Sequence, residues 1–522
     1  MARGAREIMP RWPGALALGL VMALVLGAFG AVLARAGAFA AVTSADWAAA
    51  RFTVMQAGLS ALLSAGLAVP VARALARRRF PGRQLVIVAL GAPFILPVIV
   101  AVMGLLAIFG RAGWLNAGLA LLGLPKISLY GLDGILLAHV FLNLPFAVRL
   151  LLNGWASIPA ERFRLAAALG FGPREVWHHI ERPMLRAVLP GVTLAIFLVC
   201  LTSFTVILVM GGGPRATTLE LAIYQAFRLE FDLGHAAALA SLQMALSLAA
   251  AGLGLAVARP AAFGAGLGRV ADRWDRTGRG LQIFDAALLV TTGLFIAAPM
   301  LAVLASGLPW IAGLPGPVWT AAGRTVIIAL VAALVAVSLA LATGLLITTL
   351  PTRTARVTDA AVMLAMTASP LVIGTGLFLI LRKFTDPIAL ALPVVTLVNA
   401  GMAMPFCLRV LLPGLAALRA DYDRLSASLG LTGATWVRLV ALPRLRRPLA
   451  FASGLAAALS AGDLGVVALF ADPGRATLPM QVYALAGAYR TDQAAGAAIV
   501  LVLIAFGLFR LFDRLGDRDA DL

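Results

Sequence analysis

The chain has 522 residues, 61% of them hydrophobic and only 12% charged, with a formal net charge of +19 at pH 7 and a mean hydropathy of +0.97. Soluble globular domains carry about a quarter charged residues, so a fold surrounded by water is excluded and most of the chain must sit in lipid. In a soluble protein a charge of +19 would point to nucleic acid; here the 42 Lys and Arg gather between apolar stretches and read as membrane topology, which leaves no nucleic-acid partner.

Apolar stretches of about twenty residues, long enough at ~1.5 Å per residue to cross a ~30 Å hydrocarbon core as helices, recur twelve times. The first, 14–38, follows Arg3, Arg6 and Arg11 and precedes small residues near Ala36 to Ala40, which imitates a secretory signal. Its apolar run exceeds a signal core, and an uncleaved first helix is expected. The others are expected at 52–74, 84–109, 132–152, 188–210, 234–258, 283–307, 323–350, 359–381, 391–412, 449–470 and 494–512. With the N-terminus inside, most Lys and Arg fall in inner segments, Arg73 to Arg83 being one such cluster, so both termini are expected in the cytoplasm. Cys200 and Cys407 lie inside predicted spans and read as small packing residues rather than a disulfide or metal pair.

Set against itself at an offset of 260, the sequence matches in residue type: Pro145-Phe146 falls on Pro405-Phe406, Arg149 on Arg409, Leu165 on Leu425, Gly170 on Gly430, Pro183 on Pro443, and Arg215-Ala216-Thr217 on Arg475-Ala476-Thr477. Six spans per half return the chain to the same side. The expected architecture is therefore an all-α integral membrane protein of two parallel six-helix repeats, 1–258 and 283–522, around a pseudo-twofold pore. A polar stretch at 259–282, with Arg259, Arg269, Arg273, Arg276 and Arg279, reads as a cytoplasmic linker.

Between the fourth and fifth spans of each half lies a long inner loop, at about 153–190 and 414–449, that contains the best-matched part of the repeat. Both copies spell helix, break, helix. Glu161 or Asp421 opens the first helix, where the dipole favours an acid, and Gly170 or Gly430 ends it in the left-handed conformation. A second helix can begin at Gly172-Pro173, or with Thr432 as N-cap.

These loops resemble the EAA loop of importer permeases of the ATP-binding-cassette superfamily, in which a short helix docks into a groove on the ATPase. The resemblance rests on Ala166 with Gly170, Ser426 with Gly430, and the endings Ile180-Glu-Arg-Pro183 and Val440-Ala-Leu-Pro443; Arg164 and Arg424 stand where the family has glutamate. It implies the type I importer permease fold, two ATPase subunits on the cytoplasmic face and no cofactor in this chain. The only lysines, Lys126 and Lys383, follow Pro and Arg, so no phosphate-binding Gly-Lys motif exists and the ATPase must be another chain. His139, His178, His179 and His235 lack metal-ligand spacing.

The first half resembles bacterial thiamine importer permeases over nearly its whole length, and the second half does so more loosely. The runs that carry it are Ser60 to Ser64, Ala72 to Arg83, Tyr130 to His139 with Asn143-Leu-Pro145, Gly211 to Ala226, and Gly462 to Phe470. The resemblance implies a bacterial inner-membrane permease that takes thiamine or its phosphates from a periplasmic binding protein and performs no bond chemistry. Permeases for ferric iron share the fused layout and form the alternative cargo class. A secondary transporter is the more distant alternative, against which the paired loops argue.

Asp463 is the clearest intramembrane charge, roughly 24 Å up a helix from Arg447, where a charge costs about 2.5–3.5 kcal/mol at mid-bilayer. Its first-half equivalent is Ser203. A carboxylate there can attract a thiazolium cation, with Phe204 or Phe470 offering a ring face; alternatively it is a helix-interface residue held by hydrogen bonds. In the outer loops at 211–233 and 471–493, Arg215, Glu220, Arg475 and Gln481 are candidates for contacting a binding protein, the alternative being glycine-rich re-entry turns that support the pore.

Overall fold

The computed structural model describes residues 10–36, 42–90, 95–211, 213–257, 278–366, 368–470 and 473–517. The expected linker lies outside them up to residue 277. In hydrocarbon every backbone N–H and C=O must find an internal partner, and the long Ala, Leu and Val runs find one as helices. Every regular element among the described residues is helical.

In the first half, α1 (Trp12–Ala36), α2 (Ser44–Arg77), α3 (Arg83–Ala89), α4 (Val98–Phe109), α5 (Trp114–Leu121) and α6 (Leu132–Ala156) lead to the first loop. That loop holds α7 (Ala160–Ala168) and the single turn α8 (Pro173–Val176). Then come α9 (Arg182–Leu201), α10 (Thr205–Met210), α11 (Leu219–Arg228) and α12 (Leu233–Val257). The second half runs α13 (Arg279–Gly307), α14 (Gly316–Thr349), α15 (Thr352–Met366), α16 (Pro370–Leu381) and α17 (Ala391–Ser428), followed by α18 (Gly433–Trp436), α19 (Leu442–Arg444), α20 (Arg446–Ala461), α21 (Gly465–Phe470), α22 (Leu478–Gly487) and α23 (Thr491–Asp517).

Eleven helices among the described residues are long and apolar enough to cross a membrane, one fewer than the twelve spans expected. The span expected at 359–381 is divided: α15 ends at Met366, and α16 starts at Pro370 with Ser369 as N-cap, its Oγ accepting from the N–H groups of Leu371 and Val372. Proline disfavours helix in the residue before it and cannot donate, so the helix restarts there. In the first half α4 likewise starts after Pro97.

The halves exchange their first helices. α1 packs on α14 and α16 of the second half, and α13 packs on α2 and α4 of the first. Small residues permit this closeness, as expected where helices associate without a hydrophobic drive from water. A Cβ on Gly104 of α4 would sit 2.6 Å from the Pro299 carbonyl oxygen of α13, and one on Gly376 of α16 would strike the Ala28 carbonyl of α1. Alanine stripes serve the same purpose inside each half. Ala57, Ala61, Ala65, Ala68 and Ala72 of α2 are buried where it packs on α6, and Ala329, Ala333, Ala336 and Ala340 of α14 are buried where it packs on α17.

Because nothing but backbone faces Gly376, Gly376→Val is expected to force α1 from α16 and cost about 1–3 kcal/mol, read as earlier thermal unfolding in detergent; Gly19→Val, with open space around it, should leave the transition in place.

Candidate functional site

Two spans break at the same level, one from each half, and the breaks build a cavity. α9 stops at Leu201 and the chain resumes as α10 at Thr205; α20 stops at Ala461 and resumes as α21 at Gly465. A cavity of about 380 Å³ lies between the halves, inside the ~300–1,000 Å³ range of small-molecule sites. It is lined by Ser203 and Phe204 at the first break and by Asp463 at the second, with Pro97, Pro370 and Leu371 where the third spans restart.

Asp463 has one oxygen in each role foreseen for it. Oδ1 accepts the Gly465 N–H at 3.2 Å and so holds the start of α21, whereas Oδ2 is buried with no hydrogen-bond partner. Across the cavity, Ser203 Oγ lies 2.9 Å from His139 Nε2, and the other ring nitrogen, Nδ1, lies 2.9 Å from Ser60 Oγ of α2. A neutral imidazole needs one donor and one acceptor, and two hydroxyls supply both. Asn143, one turn further along α6, donates to the His139 carbonyl at 2.9 Å and to Cys200 Sγ of α9 at 3.4 Å. Phe146 and Phe406, related by the repeat, add aromatic wall. Phe470 does not line this cavity; it is buried beside Phe378, ring centroids 5.9 Å apart.

In the sequence His139 reads only as a histidine without metal-ligand spacing. A histidine in the middle of an apolar span is itself the signal of an intramembrane polar site. The repeat sharpens it, because its counterpart at the offset is Asn399, which bonds Ser460 of its own half at 3.0 Å. Phe146 and Phe406 carried no signal beyond being apolar.

The two loops share their turns. α7 ends in a paired cap, Gly170 N–H to Ala167 O at 3.0 Å and Phe171 N–H to Ala166 O at 2.9 Å, with Gly170 at φ 69°. α17 ends the same way through Ala427 and Ser426, with Gly430 at φ 65°. These are left-handed positions that glycine occupies at no steric cost. Pro173 stands at the first position of α8; Thr432 stands at the N-cap of α18, but its hydroxyl makes no capping bond. Both second helices then pass through a π turn, Trp177–Glu181 and Val437–Ala441, just before Pro183 and Pro443. Proline has no N–H to offer the preceding turn, and the wider turn accommodates the mismatch.

One expectation for the loops needs correcting. Asp421 does not open a helix: α17 runs unbroken from the membrane to Ser428, with Asp421 exposed on its side. The reason lies in Pro159, which stops the first copy after Ser157 and starts α7 afresh; Arg419 at the matching place continues the helix. Glu161 does lie in the first turn of α7, as expected.

Ala166 and Ser426 face inward, Ser426 Oγ accepting from Trp436 Nε1 at 3.0 Å. Arg164, Arg424, Gly170 and Gly430 are exposed. So are four leucines related by the repeat, Leu165 and Leu169 at 62% each, Leu425 at 53% and Leu429 at 64%. Large apolar side chains exposed on α7 and on the end of α17 form a matched pair of apolar surfaces.

At the opposite end, Thr53 Oγ1 accepts the Leu219 N–H at 2.9 Å and Thr325 Oγ1 accepts the Leu478 N–H at 2.8 Å, capping the short helices α11 and α22. Arg215 is exposed and borders a cavity of about 1,390 Å³ that also holds Asp46, Tyr130, Glu230 and His235. Arg475 is exposed and donates to the Ile388 and Ala389 carbonyls at 3.2 and 2.9 Å, and Gln481 is half-buried. Glu220 is not at the surface. It lies fully buried in α11, which packs on α16 of the other half, because its helix turns inward beneath the loop.

Two exchanged halves closing on a cavity within the apolar layer define a membrane permease. No family model matches the chain. Curated relatives do. The chain is 40% identical over 516 residues to the thiamine transport system permease protein ThiP of Brucella abortus (strain 2308), covering 96% of this chain and 94% of that one. It is 40% identical over 538 residues to the protein of the same name from Escherichia coli (strain K12), covering 99% of both, and 35% identical over 480 residues to that of Haemophilus influenzae, covering 90% and 88%. The chain belongs to the thiamine transport system permease family.

Burial pushes the Glu220 carboxyl up to about 8 from an ordinary 4.5, the nearby Ser369 hydroxyl pulling weakly the other way; α11 lies outside the spanning helices. The folded protein therefore holds a proton that the unfolded chain has released, and this contribution to stability is lost as pH rises through about 8. Wild-type protein should melt at lower temperature at pH 8.5 than at pH 6, and Glu220→Gln should shrink that difference.

Proposed function

We propose that this chain is the permease subunit of an ATP-binding-cassette importer that carries thiamine, and with it thiamine mono- and diphosphate, inward across the bacterial inner membrane by alternating access. The observation that carries the reading is the pair of repeat-related loops, each ending in a glycine-capped helix and presenting two exposed leucines. One chain offers two matched docking surfaces, which is what a pair of ATPase subunits requires. ATP hydrolysis then belongs to those subunits, consistent with the absence of any phosphate-binding Gly-Lys motif from this sequence.

The domain reading follows: a first repeat at 1–258, a linker at 259–282 and a second repeat at 283–522. The loop end faces the cytoplasm with both termini, since most of the Arg residues flank the spans on that side. The opposite end faces a periplasmic thiamine-binding protein, for which Arg215 and Arg475 are the exposed candidates and Gln481 a half-buried one; Glu220 is too deep for that role in this conformation. The cargo reading draws on the relatives' name. The cavity supports it, pairing the free oxygen of Asp463 with the rings of Phe146, Phe204 and Phe406, a setting suited to a flat organic cation. The relatives' name favours thiamine over ferric iron, the alternative cargo class.

Cells made auxotrophic for thiamine and lacking this gene should regain high-affinity uptake of radiolabelled thiamine when it is restored. Uptake indifferent to the gene would remove the cargo assignment.

Exchanging Leu165→Asp together with Leu425→Asp should abolish co-purification of the ATPase while the permease still reaches the membrane. A complex that survives both exchanges would take the loops out of docking.

A further inference from the structure

The two loops are built into the molecule differently. The second is the continuous end of α17, which runs on past Pro413 from the membrane-crossing part of its own half. Pro159 severs the first from α6, and a buried ion pair replaces the missing helical connection. Glu181, the last residue of the π turn, is fully buried; its Oε2 accepts from Arg73 Nε of α2 at 2.7 Å and its Oε1 from Trp155 Nε1 at 3.1 Å. The residue at the matching place in the second loop is Ala441.

One turn on from Arg73, the last residue of α2 and its C-cap residue, Arg77 and Arg78, form a second buried cluster. Arg77 Nη2 and Arg78 Nε reach Asp285 at 2.6 and 2.5 Å, and Asp285 belongs to α13, the exchanged first helix of the other half. Asp285 is 2% exposed and Arg77 4%. In the reciprocal crossing, α1 on α14, Gly14 lies against Ala342 and Leu346. Buried ion pairs gain little over apolar packing but become very costly when one partner is removed, so they tie two elements to move together rather than adding stability.

We propose that Glu181 and Asp285 are positioning residues of one relay, in which the first loop grips α2 through Arg73 and α2 carries α13 of the opposite half through Arg77 and Arg78. The first loop thus acts across the interface, and the second acts within its own half. This rests on the reading of the loops as ATPase docks.

The test uses the complete complex, permease with its ATPase subunits and the thiamine-loaded binding protein, in proteoliposomes. Glu181→Gln should leave the complex assembled and hydrolysing ATP, while thiamine moved per ATP falls about fivefold or more. Asp285→Asn should do the same, and the double variant should be no worse than the poorer single one, because both break one chain of contacts. Exchanging the pair as Arg73→Glu with Glu181→Arg should recover part of the loss.

Wild-type thiamine per ATP in Glu181→Gln, or losses that multiply in the double variant, would overturn the relay. So would dissociation of the complex by Glu181→Gln alone, since the carboxylate would then build the dock rather than transmit from it. Glu181→Gln decides even where Asp285→Asn fails to reach the membrane. Failure of the docking reading shows separately, as a complex that survives the leucine exchanges.

Discussion

The structure turns on the demand that backbone groups inside hydrocarbon be paired. Unbroken helices meet it by themselves; broken ones do not, and in the second half each of the two restarts comes with a polar side chain that closes the account. Asp463 takes the Gly465 N–H at the restart of α21, and Ser369 takes those of Leu371 and Val372 at the restart of α16. A carboxylate has a second oxygen to spare, and that surplus is what turns a structural repair into a polar point on the cavity wall. The site is thus not added to the fold. It is where the fold is interrupted.

Duplication explains why the interruptions meet. Two copies of a broken span, brought face to face by exchange of the first helices, place their breaks at one level on either side of the interface. Divergence then acts on matched positions: Ser203 against Asp463, His139 against Asn399, Glu181 against Ala441. A symmetric pore would present the same group twice. This one sets a carboxylate opposite a hydroxyl held by a histidine, which gives a solute two different walls, and it ties one loop by an ion pair and the other by a continuous helix.

Much of this was legible in the chain. Composition alone gave the membrane class, and the offset of 260 located both loops, with Gly170 and Gly430 at the turns they occupy. What stayed hidden was set by distant packing or by one-residue differences between the copies. Pro159 against Arg419 decides whether a loop helix is separate or continuous, although the acids at Glu161 and Asp421 make the two copies read alike. Glu220 reads as an outer-loop charge because the sequence cannot show that α11 dips beneath the loop against α16. The helix exchange has no local signature at all, since any apolar helix with small residues can pack on any other.

Those small residues also bear on how the halves can move. Where Gly376 meets Ala28 the contact is backbone on backbone, and where Gly104 meets Pro299 it is backbone and the proline Cβ, with no long side chain to interlock. Such surfaces slide or part without first breaking rotamers, whereas the Asp285 cluster fixes α2 to α13 at the loop end. The interface is thus pinned by charge at that end and smooth along the exchanged helices. At the far end α11 and α16 meet instead through Phe227 and Phe378, ring centroids 4.7 Å apart, with Glu220 buried beside them.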